Sequence, residues 1–530
     1  MGDFRVDGPQ APCVQSPEEM AGRFQAELMT LLPEWKKRLA ADPDRLIELE
    51  RDIHSAFSRG ADLVVVGLMA VVTNTPRFEE AREQARQDAA VPLSRGRLRQ
   101  VRVRLLGGLI MWVTSLYCTP SKSWLNRTKE KAPGMYVELA QFGFGKGCTP
   151  GLQSLIARQA ALCPSLQFAQ QELERNGVKL DVKTVRRVAY QCGEDLLHLR
   201  TLELLLWREG KLPAGTELAG LRVTVEIDGG RTRIRGETRD ATAVPEAQNA
   251  DGMPCDEAPG RSRKRPRKTF DADWREPKLV VIFVHDEKGR MVKKSKALVD
   301  GTLLGPDALA ELIAMHLHRL GAAKALSITF VADGGVWIWD RIGMIVELAK
   351  LPKTVPLYEV LDNCHASHHI SLALAALGLG ETDRRPIYRD FRTRLRNGHW
   401  RQVVDELKEM AEGRPEDSQV WTEIAYLQRH GEAGRLKYPT FRSLGLPLGS
   451  GAIESNIRRV INLRLKGNAI YWLAENAEAM LQIRAYVLTD RWDQRLSELR
   501  KLRRRDVQTA WQWTPQDMKS NAERVQTTPA

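Results

Sequence analysis

The order of strands and helices predicted between residues 222 and 365 restricts the fold of this chain most. Apolar residues alternate with polar ones from Val223 to Ile227, which predicts a strand that ends at Asp228. A glycine pair then makes a turn, and 231–237 has the pattern of a hairpin partner. The apolar run 279–284 is short enough to be a third, buried strand. We therefore expect these three strands to form an antiparallel meander.

Helices and strands alternate after this meander. A helix with an apolar stripe is predicted from Pro306 to Gly321. Strand 326–332 ends at Asp333, a second helix follows, and strand 355–361 ends at Asp362. The order βββ-α-β-α-β-α is that of a ribonuclease-H-like fold, in which helices flank a mixed sheet. We predict this α/β class, with a helical insertion, preceded by a mainly helical DNA-binding N-terminal region.

Changes in composition and periodicity divide the rest of the chain into regions. We predict a helical N-terminal region at 1–95, a small β-rich element at 96–150, a helix-turn-helix-like DNA-binding region at 151–215, the first part of the catalytic core at 216–365, a helical insertion at 366–448, the final core helices at 449–495 and a C-terminal tail at 496–530. Within the core, 238–276 is predicted to be a disordered basic insert, because it is rich in Pro, Gly and charge. Its segment from Arg261 to Lys268 has six basic residues in eight, and both a solvated segment and a phosphate clamp explain it.

Residues 166–187 have the pattern of two helices joined by a tight turn. Gly177 ends the first helix, and Asp181 is expected to cap the second. Val185 and Val188 lie on one face of the second helix. The other face carries the candidate DNA-binding residues Lys183, Thr184, Arg186 and Arg187. A plain helical bundle also fits this pattern, and the formal net charge of +13 favours DNA.

An arginine-rich stretch before Gly107 and Gly108 predicts a β-hairpin, with Arg102 and Arg104 alternating with apolar residues. Contact with the DNA backbone and a scaffolding role both fit this hairpin, and we favour the scaffold. The seven cysteines contain no CxxC pair, which argues against a cysteine-rich zinc site and suits a reducing cytoplasm. Apolar stretches such as 61–72 and 105–117 are too short or too interrupted to span a bilayer. We expect a soluble, cytoplasmic protein with no membrane partner.

Three carboxylates form a candidate catalytic constellation. Asp228 and Asp333 end neighbouring strands of the predicted sheet, and Glu454 follows a glycine-rich turn at the start of a helix. Each residue alone fits a turn, a cap or, for Glu454, an ion pair with Arg458. Together they suit two divalent ions about 3.5–4 Å apart, which stabilise the transition state of phosphodiester cleavage. We predict two Mg²⁺ ions, replaceable by Mn²⁺, held by Asp228, Asp333 and Glu454.

Several stretches resemble the motifs of DDE-type insertion-sequence transposases. Residues 225–230 resemble the first catalytic motif, 330–340 the second, and 448–460 with 464–472 the third. The likeness is greatest to the Kra- and Lre-type groups, which are related in plan to Mutator and hAT transposases of the ribonuclease-H-like superfamily. Residues 362–365 also resemble the Asp/Cys-x-x-His motif of those groups.

This resemblance implies Mg²⁺-dependent cleavage and strand transfer at the ends of an insertion sequence. DNA, as transposon ends and target, is the implied partner, and the active form is expected to be a homo-oligomer. The implied location is a bacterial cytoplasm, with nucleoid association when the protein is bound to DNA. The implied catalytic residues are Asp228, Asp333, Glu454 and His365. His365 would steady DNA or a reacting phosphate, although a helix cap with a structural histidine also explains its motif.

The resemblance further implies contacts with the transposon end for Arg458, Arg464, Lys466 and Trp472. Trp472 either stacks on a flipped base or lies in the core, whereas Trp400 and Trp421 of the insertion are expected in the core. Two other functions fit the same residues. One is a non-catalytic, domesticated DNA-binding protein, and the other is a ribonuclease-H-like nuclease without strand transfer.

Overall fold

The computed structural model describes residues 3–505, apart from 88, 90, 130, 131, 133, 240–268 and 469. The described chain forms two compact units. Unit 1 lies within Met1–Glu203 and Gln482–Ala530, and unit 2 within Leu204–Leu481. Helices and strands occur in both, which gives a mixed α/β fold. Most of the predicted basic insert, and the tail beyond 505, lie outside the described residues.

Unit 1 starts with a short strand and three helices, followed by a β-hairpin and a group of helices. Its elements up to the unit boundary, which falls inside the last of them, are β1 (Asp3–Val6), α1 (Pro17–Ala41), α2 (Leu46–Thr73), α3 (Pro76–Gln87), β2 (Leu93–Arg104), β3 (Ile110–Pro120), α4 (Lys122–Thr128), β4 (Met135–Tyr136), α5 (Val137–Gln141), α6 (Pro150–Leu162), α7 (Leu166–Arg175) and α8 (Val182–Arg208).

The predicted hairpin of unit 1 is confirmed, because β2 and β3 pair antiparallel across the glycine turn. β1 adds to the other edge of β3. Val103 and Met111 of this sheet pack with Leu63 and Val66 of α2 in one buried core. The helical stretch Pro43–Thr73, which includes α2, is by length and composition apolar enough to cross a membrane. Half of its most apolar window is buried inside the fold, as in the core helix of a soluble protein.

The predicted helix pair is also confirmed as α7 and α8. Asp181 caps α8, since its Oδ1 accepts a hydrogen bond from the backbone N–H of Thr184 at 2.7 Å. Val185 and Val188 are buried, and the basic side chains on the opposite face are exposed. Recognition of DNA by this helix stays a prediction.

Unit 2 alternates strands and helices and then continues with helices only. In chain order, the elements are β5 (Arg222–Gly229), β6 (Thr232–Arg239), β7 (Thr269–Arg275), β8 (Lys278–Val284), β9 (Leu298–Thr302), α9 (Pro306–Leu320), β10 (Ser327–Ala332), α10 (Val336–Leu348), β11 (Leu357–Leu361), α11 (Asn363–Ala376), α12 (Glu381–Arg396), α13 (Trp400–Met410), α14 (Gln419–Glu432), α15 (Tyr438–Ser443), α16 (Gly451–Asn456), a π-helical turn Ile457–Asn462, α17 (Ala474–Leu488) and α18 (Trp492–Arg505). The chain returns to unit 1 at Gln482, within α17.

The main sheet of unit 2 has the strand order β11-β10-β5-β8-β9. β5, β10 and β11 are parallel, whereas β8 is antiparallel to both of its neighbours. All residues of β8, β9 and β10 are buried, so the sheet is covered on both faces.

The predicted pairing of the first strand with 231–237 is wrong. β6 pairs instead with β7 in a separate two-stranded sheet, and β8 lies beside β5. A strand buried on both faces must be apolar on both. β6 carries Arg233, Arg235 and Arg239, whereas β8 is apolar after its first residue, Lys278. β9, which sequence reasoning missed, completes the antiparallel part of the sheet.

The helical insertion lies between β11 and α16, as predicted. α14 packs against both α11 and α13. Trp400 is buried in the core of unit 2 and Trp421 packs against that core, which confirms the expected place of both residues.

Candidate active site

Three aspartates lie in one row at an edge of the main sheet. Ala332 of β10 is paired with Ile227 of β5 on one side and with Leu361 of β11 on the other. The next residue on each strand is an aspartate: Asp228, Asp333 and Asp362. Since the three strands are parallel, their carboxyl ends meet at the same edge. The structure thus brings the two predicted strand-end carboxylates together and adds a third beside them.

Asp228 and Asp333 each use one carboxylate oxygen within the protein. Oδ1 of Asp228 accepts a hydrogen bond from the N–H of Gly229 at 2.6 Å. Oδ1 of Asp333 accepts one from the N–H of Gly335 at 3.0 Å, and Nε1 of Trp339 donates to the Asp333 carbonyl at 2.7 Å. Among the described residues, Oδ2 of either aspartate has no hydrogen-bonding partner. Each side chain therefore offers one free oxygen at the edge of the sheet.

The charges at this edge repel one another. Burial raises the pKa of Asp228 to about 6, and the negative charge of Asp333 acts in the same direction. The N–H of Gly229 and the nearby His365 act in the opposite direction. A bound cation would favour the ionised form of Asp228.

Asp362 is fully engaged in hydrogen bonds. Its Oδ1 accepts from the N–H groups of Cys364 at 2.5 Å and His365 at 3.0 Å, which caps α11. Its Oδ2 accepts from the N–H and, at 2.6 Å, the hydroxyl of Ser450, just before α16. Burial would raise the pKa of Asp362, but the hydrogen bonds from His365 and Ser450 outweigh burial and hold it well below its usual range. Asp362 therefore joins the end of β11 to the start of α16.

Glu454 lies on α16, which a buried carboxylate fixes to β5. Oε2 of Glu226 accepts a hydrogen bond from the N–H of Ile453 at 2.7 Å. Burial raises the pKa of Glu226 to about 8, against the opposing effect of that hydrogen bond. Glu454 itself is exposed, and the helix continues into a π-helical turn, a distortion often found at functional sites.

The role of Glu226 was not predicted from the sequence. Glu226 alternates with the apolar residues of the first strand, yet it is 2% exposed because the sheet is covered on both faces. The signal was its spacing from Asp228, since residues i and i+2 of a strand project from the same face.

The predicted metal ligands do not form one compact group. Among the described His, Cys, Asp and Glu residues, one set of three has all its ligand atoms within 4.8 Å of one another: Asp362, His365 and Glu454. Asp228 and Asp333 lie outside that set. Nδ1 of His365 is 3.5 Å from Oδ1 of Asp362. The nearby Asp362 carboxylate raises the pKa of His365, and the negative charges of Asp333 and Glu454 add to the increase. His365 thus interacts electrostatically with Asp228 and Asp333 as well as with Asp362 and Glu454.

A tyrosine from the helical insertion covers the loop after Asp333. A Cβ atom added to Gly334 would lie 1.8 Å from Cε2 of Tyr426, so only glycine fits beneath this ring. The Tyr426 ring stacks on His369 with 3.5 Å between ring centroids. Nδ1 of His369 is 2.5 Å from Oε2 of Glu423. A long-range contact of this kind has no local sequence signal.

The remaining predicted DNA-binding residues differ in exposure. Arg458 and Lys466 are exposed, whereas Arg464 is 5% and Trp472 6% exposed. Nε1 of Trp472 donates to the carbonyl of Leu465 at 3.1 Å, and the Trp472 backbone pairs with β6. The Arg464 guanidinium lies 5.1 Å from the centre of the Trp472 ring. This burial contradicts a surface DNA contact for Arg464 and Trp472 and supports the core interpretation of Trp472.

No protein-family model, no curated protein and no solved structure matches this chain. Chemically, the free oxygens of Asp228 and Asp333 and the exposed carboxylate of Glu454 are the donors that hard divalent cations such as Mg²⁺ prefer. This donor set is suited to metal-assisted chemistry on phosphate esters.

Proposed function

We propose that this protein is a DDE-type transposase, which cleaves DNA at the ends of an insertion sequence and joins the ends to a target. The observation that carries this proposal is the position of Asp228 and Asp333 at the carboxyl ends of adjacent parallel strands, each with one unengaged oxygen. The strand order of the main sheet supports a ribonuclease-H-like catalytic domain. Its first strand in chain order, β5, lies beside its fourth, β10, as that fold requires.

Asp228, Asp333 and Glu454 are the proposed ligands of two Mg²⁺ ions, for which Mn²⁺ can substitute. A bound metal would activate the attacking water or 3′-hydroxyl and stabilise charge on the leaving oxygen. Asp228 and Asp333 would hold that metal at the sheet edge, because their own negative charges repel a phosphate. His365, whose pKa is raised, is placed to donate a hydrogen bond to a phosphate oxygen. Asp362 acts as a positioning residue, since its hydrogen bonds hold the loop that precedes Glu454.

DNA is the proposed partner. The net charge of +13 supports a polyanionic ligand, and the exposed face of α8 offers Lys183, Arg186 and Arg187 for recognition of the transposon ends. Arg458 and Lys466 are exposed in the segment that follows Glu454 and are proposed to contact the DNA backbone. Joining two DNA ends favours a homo-oligomer, and a bacterial cytoplasm is the proposed location.

A cleavage assay with a matched control tests this function. Purified wild type, Asp333→Asn and Asp405→Asn are incubated with labelled DNA that carries the terminal repeats of the element, with Mg²⁺ or with EDTA. Asp405 is an exposed aspartate on α13, so its replacement makes the same chemical change on the surface. Wild type and Asp405→Asn should nick the repeat ends in Mg²⁺ only. Asp333→Asn should bind the DNA without nicking it.

The other functions have distinct outcomes in the same assay. Binding without cleavage by wild type, in Mg²⁺ and in Mn²⁺, would show a non-catalytic DNA-binding protein. Nicking without any joined product on a target plasmid would show a nuclease without strand transfer. Equal nicking by wild type and Asp333→Asn would remove Asp333 from the catalytic site.

A further inference from the structure

Unit 1 contains a cleft of about 440 Å³ whose lining is strongly basic. It lies between the end of the β2–β3 hairpin, the loop before α6, the turn between α7 and α8, and the first turns of α8. Its five cationic side chains are Arg102, Arg104, Lys146, Lys179 and Arg187, and we call their site the basic cleft.

The cations of the basic cleft have no anionic partner in the protein. Within the described ranges, none of the five forms an ion pair with a carboxylate. Asp181 is the single carboxylate in the lining. Its two oxygens accept hydrogen bonds from the backbone N–H and the hydroxyl of Thr184, at 2.7 and 3.1 Å. Arg187 donates only to a carbonyl, that of Lys146, at 3.4 Å. The cleft thus keeps an excess of positive charge.

This uncompensated charge has an electrostatic cost in the free protein. Burial, reinforced by the charge of Arg102, lowers the pKa of Arg104. The thiol of Cys148 cannot serve as the counter-ion, because burial raises its pKa to about 11. A cleft lined by charges of one sign concentrates counter-ions from solution. An anion that enters the cleft would relieve the repulsion among the cations.

We propose that the basic cleft binds a phosphate group of the DNA backbone. Arginine and lysine side chains are the usual ligands of phosphate oxygens. Of the described residues that line the cleft, none is aromatic, so it offers no platform for stacking a nucleotide base. Arg187 is shared with the exposed basic face of α8, so a phosphate held here would fix the register of α8 on a duplex. The hairpin then contacts DNA in addition to its scaffolding role.

The choice of DNA as the source of the phosphate rests on the proposed function, whereas the affinity of the cleft for phosphate does not. We would compare wild type with Arg102→Gln/Lys179→Gln, in which two exposed cations of the cleft are neutralised. The control is Lys36→Gln/Lys37→Gln, which removes the same charge from exposed positions on α1. Fluorescence anisotropy of a labelled duplex, in EDTA to prevent cleavage, gives the affinity over a KCl series. Isothermal titration with inorganic phosphate forms the second arm.

The cleft variant should bind the duplex roughly tenfold more weakly than wild type, with the slope of log K against log salt reduced by about one. The control variant should keep the slope of wild type. Cleft and control variants with equal affinity and slope would overturn the proposal and leave the transposase proposal intact. The cleft variant, unlike the control, could also lose the heat of phosphate binding while its duplex binding stays unchanged. That result would show that the cleft is a site for free phosphate and would overturn its assignment to the DNA backbone. A wild type that binds no duplex at any salt would count against both proposals. If the cleft variant fails to fold, Lys146→Gln/Lys179→Gln replaces it.

Discussion

Replacing Gly334 with alanine tests whether Tyr426 holds the insertion over the loop after Asp333. The backbone of Gly334 is not left-handed, so alanine meets no conformational strain there and restricts the unfolded chain, worth about 0.4–1 kcal/mol of stabilisation. The new Cβ would lie 1.8 Å from Cε2 and 2.3 Å from the hydroxyl of Tyr426, so the ring must move. Overpacking of this kind costs about 1–3 kcal/mol. We expect Gly334→Ala to reduce the free energy of unfolding by roughly 1–2 kcal/mol.

The same substitution in a Tyr426→Ala background should lose this cost, because the clashing ring is gone. Gly334→Ala should then be neutral or stabilise by up to about 1 kcal/mol, which gives a coupling energy of roughly 1–3 kcal/mol between the two positions. Gly343→Ala on α10 is the matched control. A Cβ at Gly343 would meet nothing within 4 Å, so it should stabilise α10 by about 1 kcal/mol in both backgrounds.

The assay must report on unit 2 alone, because a chain with two units does not unfold as a two-state system. Hydrogen exchange of the buried β10 amides in increasing urea, followed by mass spectrometry, measures the opening free energy of the main sheet. An equal loss from Gly334→Ala with and without the Tyr426 ring would refute the contact and the role given to the insertion.

Three further predictions concern buried ionisable groups. Burial and a neighbouring arginine lower the pKa of His285 to about 4. Below pH 6.5, the ordinary pKa of histidine, the unfolded chain therefore binds a proton that the folded chain does not, so the free energy of unfolding decreases as the pH is lowered from 6.5 to about 4. Thermal unfolding of His285→Asn should lack roughly 3 kcal/mol of this acid dependence, and an unchanged dependence would contradict the prediction. Asp362→Asn should reduce the free energy of unfolding by about 1–3 kcal/mol, since an amide cannot accept all the hydrogen bonds from α11 and Ser450. Nicking of the repeat ends should fall as well, and full activity of this variant would refute a positioning role for Asp362. Arg495→Met should reduce the free energy of unfolding by about 3–5 kcal/mol in calorimetry, because Glu203 loses the guanidinium that donates to it at 2.5 and 2.6 Å. Adding Glu203→Leu should restore most of the loss, and a single variant as stable as wild type would contradict this prediction.

The strands that carry Asp228 and Asp333 could be predicted because both are short apolar runs ended by an aspartate and glycines. Their pairing followed from the alternation of helix and strand, which leaves few arrangements for a parallel crossover. The partner of β5 could not be predicted from adjacency. It was decided by burial on both faces, which the arginines of β6 oppose and the apolar residues of β8 satisfy.

The site was predictable in its residue types but not in its contacts. Asp362 was recognised as part of a motif, but two of its four hydrogen bonds come from Ser450, 88 positions further along the chain. Glu226 and Tyr426 depend in the same way on segments distant in sequence. No local periodicity encodes such contacts, because they arise only when the sheet and the insertion pack together.

A single carboxylate, that of Asp362, joins the two ends of the helical insertion between β11 and α16. The entropy of closing a loop grows only slowly with its length, so a junction closed in this way tolerates large changes in what lies between its ends. The helices from α12 to α15 are therefore open to lengthening, loss or exchange during evolution, while the sheet and α11, which carries His365, keep their geometry. What each replacement must still supply is an aromatic ring over Gly334. Under the proposed function, accessory helices of different size diversify the substrate without altering the chemistry.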